Sequence, residues 1–269
     1  MLGSSRESLT ALRASLDARR AEEGFASVSD DLLAVAGVLS GEKTLRQTLA
    51  DSGQSAELRA GVATSLFQGR IATPSLEVLT DVVRARWSDD DDLVDAVEQL
   101  GAQAAFTVAE AEGTLDRVED ELFRFGRVVD GSPDLQLALT DPSVPPARKA
   151  ALVRDLLGGA ASPVSASLLA HAAGNLRGRR PAAAVEELAR LASDQRRQVL
   201  AEVRSAVPLD VDQHRRLAGA LTRLQGRQVR VNVIVDPEVV GGIVVRVGDD
   251  VIDGSVSSRL EQARRALSA

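Results

Sequence analysis

Apolar residues recur every third or fourth position through most of the chain, the spacing that lays a single stripe along an α-helix. Leu9, Leu12 and Leu16 make the first stripe. Ser29-Asp30-Asp31 can cap a second helix carrying Leu32, Leu33, Val35, Ala36 and Leu39, which Gly41 ends. Further helices are predicted over residues 45–50 and 57–67, and from Thr73-Pro74-Ser75 through Leu76, Leu79, Val82 and Val83. The acidic run from Ser88 to Asp92 precedes Leu93, Val94, Val97 and Leu100 and is read as a capped helix start, where carboxylates favour the dipole. A metal site there is the sharper alternative, but four consecutive carboxylates on one turn cannot all point at one ion.

The period changes near the end of the chain. Val229, Val231, Val233 and Val235 alternate with Arg230, Asn232 and Ile234, a period of two that buries one face of a strand. Asp236-Pro237 stops it, because proline donates no ladder hydrogen bond. Gly241-Gly242 permits backbone geometry closed to other residues and predicts a bulge or tight entry into a hairpin. The hairpin consists of residues 243–247 and 251–252 around the turn Gly248-Asp249-Asp250. After Asp253-Gly254, Ser255 or Ser257 can cap a last helix bearing Val256, Leu260, Ala263 and Leu267. Residues 212–226 read as a helix with Leu217, Leu221 and Leu224 on one side, whereas residues 199–207 mix helix and strand signals.

The helical part repeats itself. LRQTLADSGQSAELR at residues 45–59 lines up with LQLALTDPSVPPARK at 135–149; Thr73-Pro74 matches Ser162-Pro163, and AVEQL at 96–100 matches AVEEL at 184–188. The offsets of 90, 89 and 88 imply a duplicated bundle of about 90 residues. The expected architecture is mainly α: two consecutive helical-bundle repeats over residues 1–101 and 102–195, then a small α/β domain with a β-hairpin over 196–269.

Composition narrows the function. Hydrophobic residues make up 44% of 269, enough for folded cores, but only 2% are aromatic, so cores must be built from Ala, Leu and Val. A net charge of −7 and scarce stacking side chains argue against nucleic acid. No stretch has the apolar core of a signal peptide or the length of a membrane span. There is no cysteine, and His171 and His214, the only histidines, lack metal-ligand spacing or a serine elbow. His171 lies among Leu168, Leu169 and Ala172, the setting of a structural histidine. No phosphate-cradling glycine loop occurs, and the sequence isolates no acid–base pair, so no catalytic, metal or cofactor site is expected.

The ordered set Asp236, Pro237, Gly241, Gly242, Gly248, Asp253, Gly254 and Ser255, with Arg259-Leu260 following, resembles the C-terminal signature of the delta subunit (OSCP) family of F-type ATP synthase. Residues 103–129, 139–157 and the NLRGRR segment at 175–180 resemble the family's helical domain, so the resemblance covers about 102–269 and leaves 1–101 as an extra copy. It implies a strand for residues 199–207, ending at Pro208, and a non-catalytic peripheral-stalk role. The implied partners are the N-terminal helices of an alpha subunit, held by the helical domain, and the C-terminal end of subunit b or a b-like partner, held by the α/β domain. The beta subunit is a further candidate contact. Membrane contact would be through the complex alone, on the cytoplasmic face. The competing reading is a cytoplasmic helical adaptor unrelated to the motor.

Overall fold

A computed structural model describes residues 3–197, 199–225, 229–237, 239–247 and 250–254. They form two compact units, Met1–Arg196 and Arg197–Ala269. Gly248, Ser255 and the expected last helix lie outside the described residues.

The first unit is helical. Its first bundle comprises α1 (Ser4–Ala18), α2 (Val28–Gly41), α3 (Lys43–Ala50), α4 (Ala56–Phe67), α5 (Thr73–Arg84) and α6 (Asp90–Ala111). Its second comprises α7 (Leu115–Asp130), α8 (Pro133–Thr140), α9 (Pro146–Leu157), α10 (Pro163–Gly174) and α11 (Pro181–Arg197). The starts of α3, α4 and α5 precede those of α8, α9 and α10 by 90 residues each: Lys43 and Pro133, Ala56 and Pro146, Thr73 and Pro163.

Local chemistry sets the helix ends. Asp89 caps α6 by accepting from the Asp91 N–H at 2.9 Å, and three aspartates follow in the first turn, where the exposed N–H groups favour anions. Ser162 caps α10 ahead of Pro163, whose missing N–H is harmless at the first helical position. Gly158 ends α9 in the left-handed conformation.

Each bundle also has the same internal tether. In the first, the Asp31 carboxylate on α2 accepts from Ala72 N–H (2.9 Å) and the Ser75 hydroxyl (2.6 Å) at the start of α5. In the second, Glu121 on α7 accepts from the N–H (2.9 Å) and hydroxyl (2.7 Å) of Ser162 at the start of α10. Burial alone would raise the Glu121 carboxyl, but the Ser165 and Ser162 hydrogen bonds and the Arg117 guanidinium outweigh it and hold it at about 2.

One helix belongs to both bundles. Leu93, Val97, Leu100 and Ala104 of α6 enter the first apolar core, whereas Ala102, Ala105, Phe106 and Ala109 enter the second. The chain therefore crosses residues 101 and 102 within a continuous helix. Gly101 makes room for the crossing: a Cβ there would lie 3.3 Å from Leu33 Cδ2 of α2.

Among the described residues, the second unit is a four-stranded sheet with one helix. β1 (Val199–Ser205) leads through α12 (Val211–Gln225) to β2 (Val229–Val235), and β3 (Ile243–Val247) turns back into β4 (Asp250–Asp253). The order is β2-β1-β3-β4, parallel between β1 and β2 and antiparallel elsewhere. Ala201, Val203, Val229, Val231, Val245 and Val247 pack with Ala218 and Leu221 of α12.

Two details depart from the sequence reading. Leu224 is 67% exposed, because α12 meets the sheet through Leu217 and Leu221 and its last turn runs past the apolar surface. On β2 the alternation fades: Val235 is half exposed at the end of an edge strand, while Arg230 on the opposite face is buried.

Gly241 and Gly242 stand at φ 71° and 79°, where an L side chain is strained. Gly242→Ala should therefore loosen the sheet by about 1–2 kcal/mol. Amide exchange of β1 and β3 in the full chain should accelerate roughly 5- to 30-fold. Unchanged exchange would show that this turn carries no conformational demand.

Candidate functional site

The NLRGRR segment forms the loop between α10 and α11, and two of its arginines, Arg177 and Arg179, turn back onto α6. Arg177 bonds Glu98 at 2.6 Å and also Asp95; Arg179 reaches the same Glu98 oxygen at 2.9 Å, and His171 of α10 meets its other oxygen at 3.1 Å. Asn175 fixes the loop start by donating to the His171 carbonyl at 3.0 Å. Arg177 sits at φ 46°, in the left-handed region, with Gly178 following at 79°. Such a conformation costs a non-glycine residue on the order of 1 kcal/mol, which the two carboxylates offset.

Glu98 is buried, and burial alone would raise its pKa. The His171 hydrogen bond, with the charges of Arg179, Arg177 and His171, outweighs that effect and holds the carboxyl at about 2. A carboxylate so low stays ionised at neutral pH and is a poor proton acceptor, so this network braces α6, α10 and the loop and does not fit acid–base work.

The acidic run at the start of α6 is likewise occupied. Asp89, Asp90 and Asp91 place carboxylate oxygens within 4.8 Å of one another, but Asp89 caps the helix and Arg46 Nε lies 3.0 Å from Asp90 and 3.5 Å from Asp91. A guanidinium thus stands against the two carboxylates a cation would need. His214 is buried under the sheet, its Nε2 3.2 Å from the Val231 carbonyl.

Beside the Glu98 network a cleft of about 850 Å³ opens between α2 and the α9–α10 pair. A second groove, of about 920 Å³, runs among α7, α8 and α9 over Val128, Leu135, Leu152 and Leu156. The signature residues gather instead in the sheet unit. Asp236 N–H donates to Ser205 O at 2.8 Å, tying the end of β2 to β1, and Gly254 N–H donates to Ile243 O at 3.0 Å. A Cβ at Gly254 would lie 3.2 Å from that same carbonyl, so the close approach favours glycine. Pro237 follows β2, and Asp253 pairs with Val244 across the hairpin. These contacts are internal. The sequence reading missed Glu98 as a network member, and Asp31 with Glu121 as tethers; the last two were findable, since both are carboxylates at the 90-residue offset.

The described residues thus combine a helical unit braced by a buried ion network and carrying surface grooves with a small sheet unit, an architecture of the scaffold class. Residues 97–267 match the family described as the ATP synthase delta (OSCP) subunit. ATP synthase subunit delta of Streptomyces avermitilis is 45% identical over 269 residues, covering 99% of this chain and 98% of that protein. The same subunit of Kineococcus radiotolerans is 43% identical over 267 residues, 98% and 97% respectively. A chain of the Toxoplasma gondii mitochondrial ATP synthase hexamer is 27% identical, covering 62% of this chain and 95% of that one, with a TM-score of 0.27.

The chain belongs to the ATP synthase delta (OSCP) subunit family. It is a structural, non-catalytic subunit of the peripheral stalk and associates with other ATP synthase subunits. The family match begins inside α6, yet both named relatives align over nearly the whole chain, so the first bundle is shared with them. Among the described residues no helix is long and apolar enough to cross a membrane.

Proposed function

We propose that this subunit ties the catalytic alpha/beta ring to subunit b on the cytoplasmic face and resists rotor torque, the helical unit gripping N-terminal helices of alpha and the sheet unit the C-terminal end of b. In this reading residues 1–101 and 102–195 are two copies of one bundle, the first adding a contact to a second alpha subunit, to b or to a b-like partner, and 196–269 is a separate C-terminal domain. The observation that carries it is the full-length alignment with delta subunits. Grooves between helices are the surfaces into which an amphipathic helix lays its apolar face. Two modest contacts on one chain reach high avidity through effective concentration, which suits a joint under continuous load.

The test uses the full chain, because a cut at residue 101 would sever α6. Calorimetry with an alpha N-terminal peptide and a subunit b C-terminal peptide should show saturable and independent binding of both. The chain should also co-purify with alpha and beta. If neither peptide binds and the chain fails to track with the ring, the partner assignment is wrong.

A further inference from the structure

We infer that one end of the sheet unit, where β1 and β2 finish and β3 begins, is the surface that holds subunit b, and that it takes an apolar segment flanked by lysine or arginine; the inference rests on the stator reading above.

Topology builds this end. The chain leaves β2 on one side of β1 and enters β3 on the other, so residues 236–242 must cross the end of β1. Residues 206–210, which lead from β1 to α12, start from the same place. The crossing is held at both ends, by Asp236 N–H on the Ser205 carbonyl at 2.8 Å and by Ile243 paired with that same serine. Within it Val239 N–H donates to the Asp236 carbonyl at 3.1 Å and Gly241 N–H to that of Val239 at 2.9 Å, so the segment is preformed. Asp236, Pro237, Gly241 and Gly242 thus make the crossing, and Gly254 closes on Ile243 at its foot.

Turns are ordinarily polar, but these carry valine. Val207 is 63% exposed and Val240 68%, with Ile234 and Val235 exposed at the end of β2. Val211 joins them, because the helix that follows β1 begins where β1 ends. The other large apolar residues exposed in the described part of this unit are apart from them, Leu224 on the last turn of α12 and Val251 and Ile252 on β4. A single exposed valine is ordinary; a group of them at one end of a small sheet marks a contact surface. Loops gathered at the carboxyl ends of parallel strands are also where α/β sheets carry their binding sites.

Charge selects the occupant. Residues 206–210 and 236–242 contain Asp210, Asp236 and Glu238 and no lysine or arginine. The flanking cations are engaged: Arg204 by Glu202 (3.1 Å) and Asp236 (3.7 Å), and Arg215 by Asp212 (2.5 Å), with Arg216 exposed beside it. Asp253 of β4 adds a carboxylate at this end, whereas Arg246 lies farther down the sheet, opposite Glu202. Carboxylates therefore outnumber guanidiniums around the valines, which favours a guest whose apolar residues are flanked by cations.

The chain has no cysteine, so Val240→Cys supplies a single handle at this end and Leu224→Cys one elsewhere on the unit. Each is fitted with a photocrosslinker in a complex reconstituted from purified ATP synthase subunits. The first should capture subunit b at an apolar stretch bearing Lys or Arg, and the second should not capture b. By calorimetry on the full chain, Val207→Ser with Val240→Ser should weaken binding of the subunit b C-terminal peptide at least tenfold, while Leu224→Ser with Val251→Ser should leave it unchanged. Asp212→Lys with Glu238→Lys should also weaken it at least tenfold, with the loss shrinking as salt is raised. Binding of the alpha peptide should be unaffected throughout, and far-UV circular dichroism with amide exchange of β1 checks that each variant folds. Undiminished b-peptide affinity in either the valine or the charge variant overturns this surface and leaves the stator reading standing. Capture from Val240→Cys of another subunit, of a second copy of this chain or of a stretch of b without a cation also overturns it. If the wild-type chain neither binds the b peptide nor tracks with the ring, the stator reading fails and this inference with it.

Discussion

Replacing Glu98 by alanine is expected to destabilise the helical unit by about 3–5 kcal/mol, the usual loss when one member of a buried ion network is removed. The carboxylate meets Arg177, Arg179 and His171, so its removal takes an acceptor from all three, leaving Arg177 with Asp95 and Arg179 with the Asn175 and Leu176 carbonyls. Glu98→Gln keeps the shape and should fall between alanine and wild type, because its amide still accepts one bond but carries no charge. The pH dependence gives the sign. With a folded value near 2 against about 4.5 for the free side chain, Glu98 lends its full stabilisation above the unfolded value, and this is lost as pH falls from about 4.5 toward 2. The difference corresponds to about 3 kcal/mol. Glu121, held down to about 2 by its seryl and arginine partners, acts in the same window, so the variant should keep part of the acid sensitivity. Urea midpoints at pH 7 and pH 3 decide the matter. A Glu98→Ala protein less than about 1 kcal/mol weaker at pH 7, or with the wild-type pH slope, would show the network to be ornamental.

The repeat was legible because caps and apolar stripes are local. Pro and Ser at helix starts, and leucines at helical spacing, state their structure within a turn or two, and three helix starts fall at one offset of 90 residues. What the repeat could not state is that matched positions meet different neighbours. In AVEQL, Glu98 is buried and gathers three partners; in AVEEL, its mate Glu186 is exposed. The difference arises because α6 is flanked by a second bundle, whereas α11 lies in the last one. The second helices show the same logic. Leu33 of α2 is buried against Gly101, while its counterpart Phe123 on α7 is 62% exposed. Ala34 and Gly37, along the cleft, become the exposed Arg124 and Arg127. The α2 face beside the cleft keeps small residues and the matching outer face of α7 is charged, as terminal units of repeat arrays require. Sequence alone misled where packing decides, as at Leu224, whose position in the stripe is right but whose turn lies past the sheet.

The sharing of α6 makes a stronger statement, that the two bundles unfold together. Phe106 is 1% exposed in the second core, and its truncation to alanine should cost about 3–5 kcal/mol through lost burial and the cavity left behind. The only tryptophan, Trp87, is buried in the first core, its indole N–H bonded to the Val82 carbonyl at 2.9 Å. Its fluorescence therefore reports the other bundle. If α6 couples the cores, Phe106→Ala should lower the Trp87 thermal midpoint by roughly 10 °C, in step with the loss of helical circular dichroism. A joint bearing torque needs that coupling, since a bundle that yields alone would let the ring slip relative to the stalk. If the Trp87 midpoint stayed at its wild-type value while helicity fell in two steps, the bundles would be independent modules on a common helix, and stiffness would have to come from bound partners.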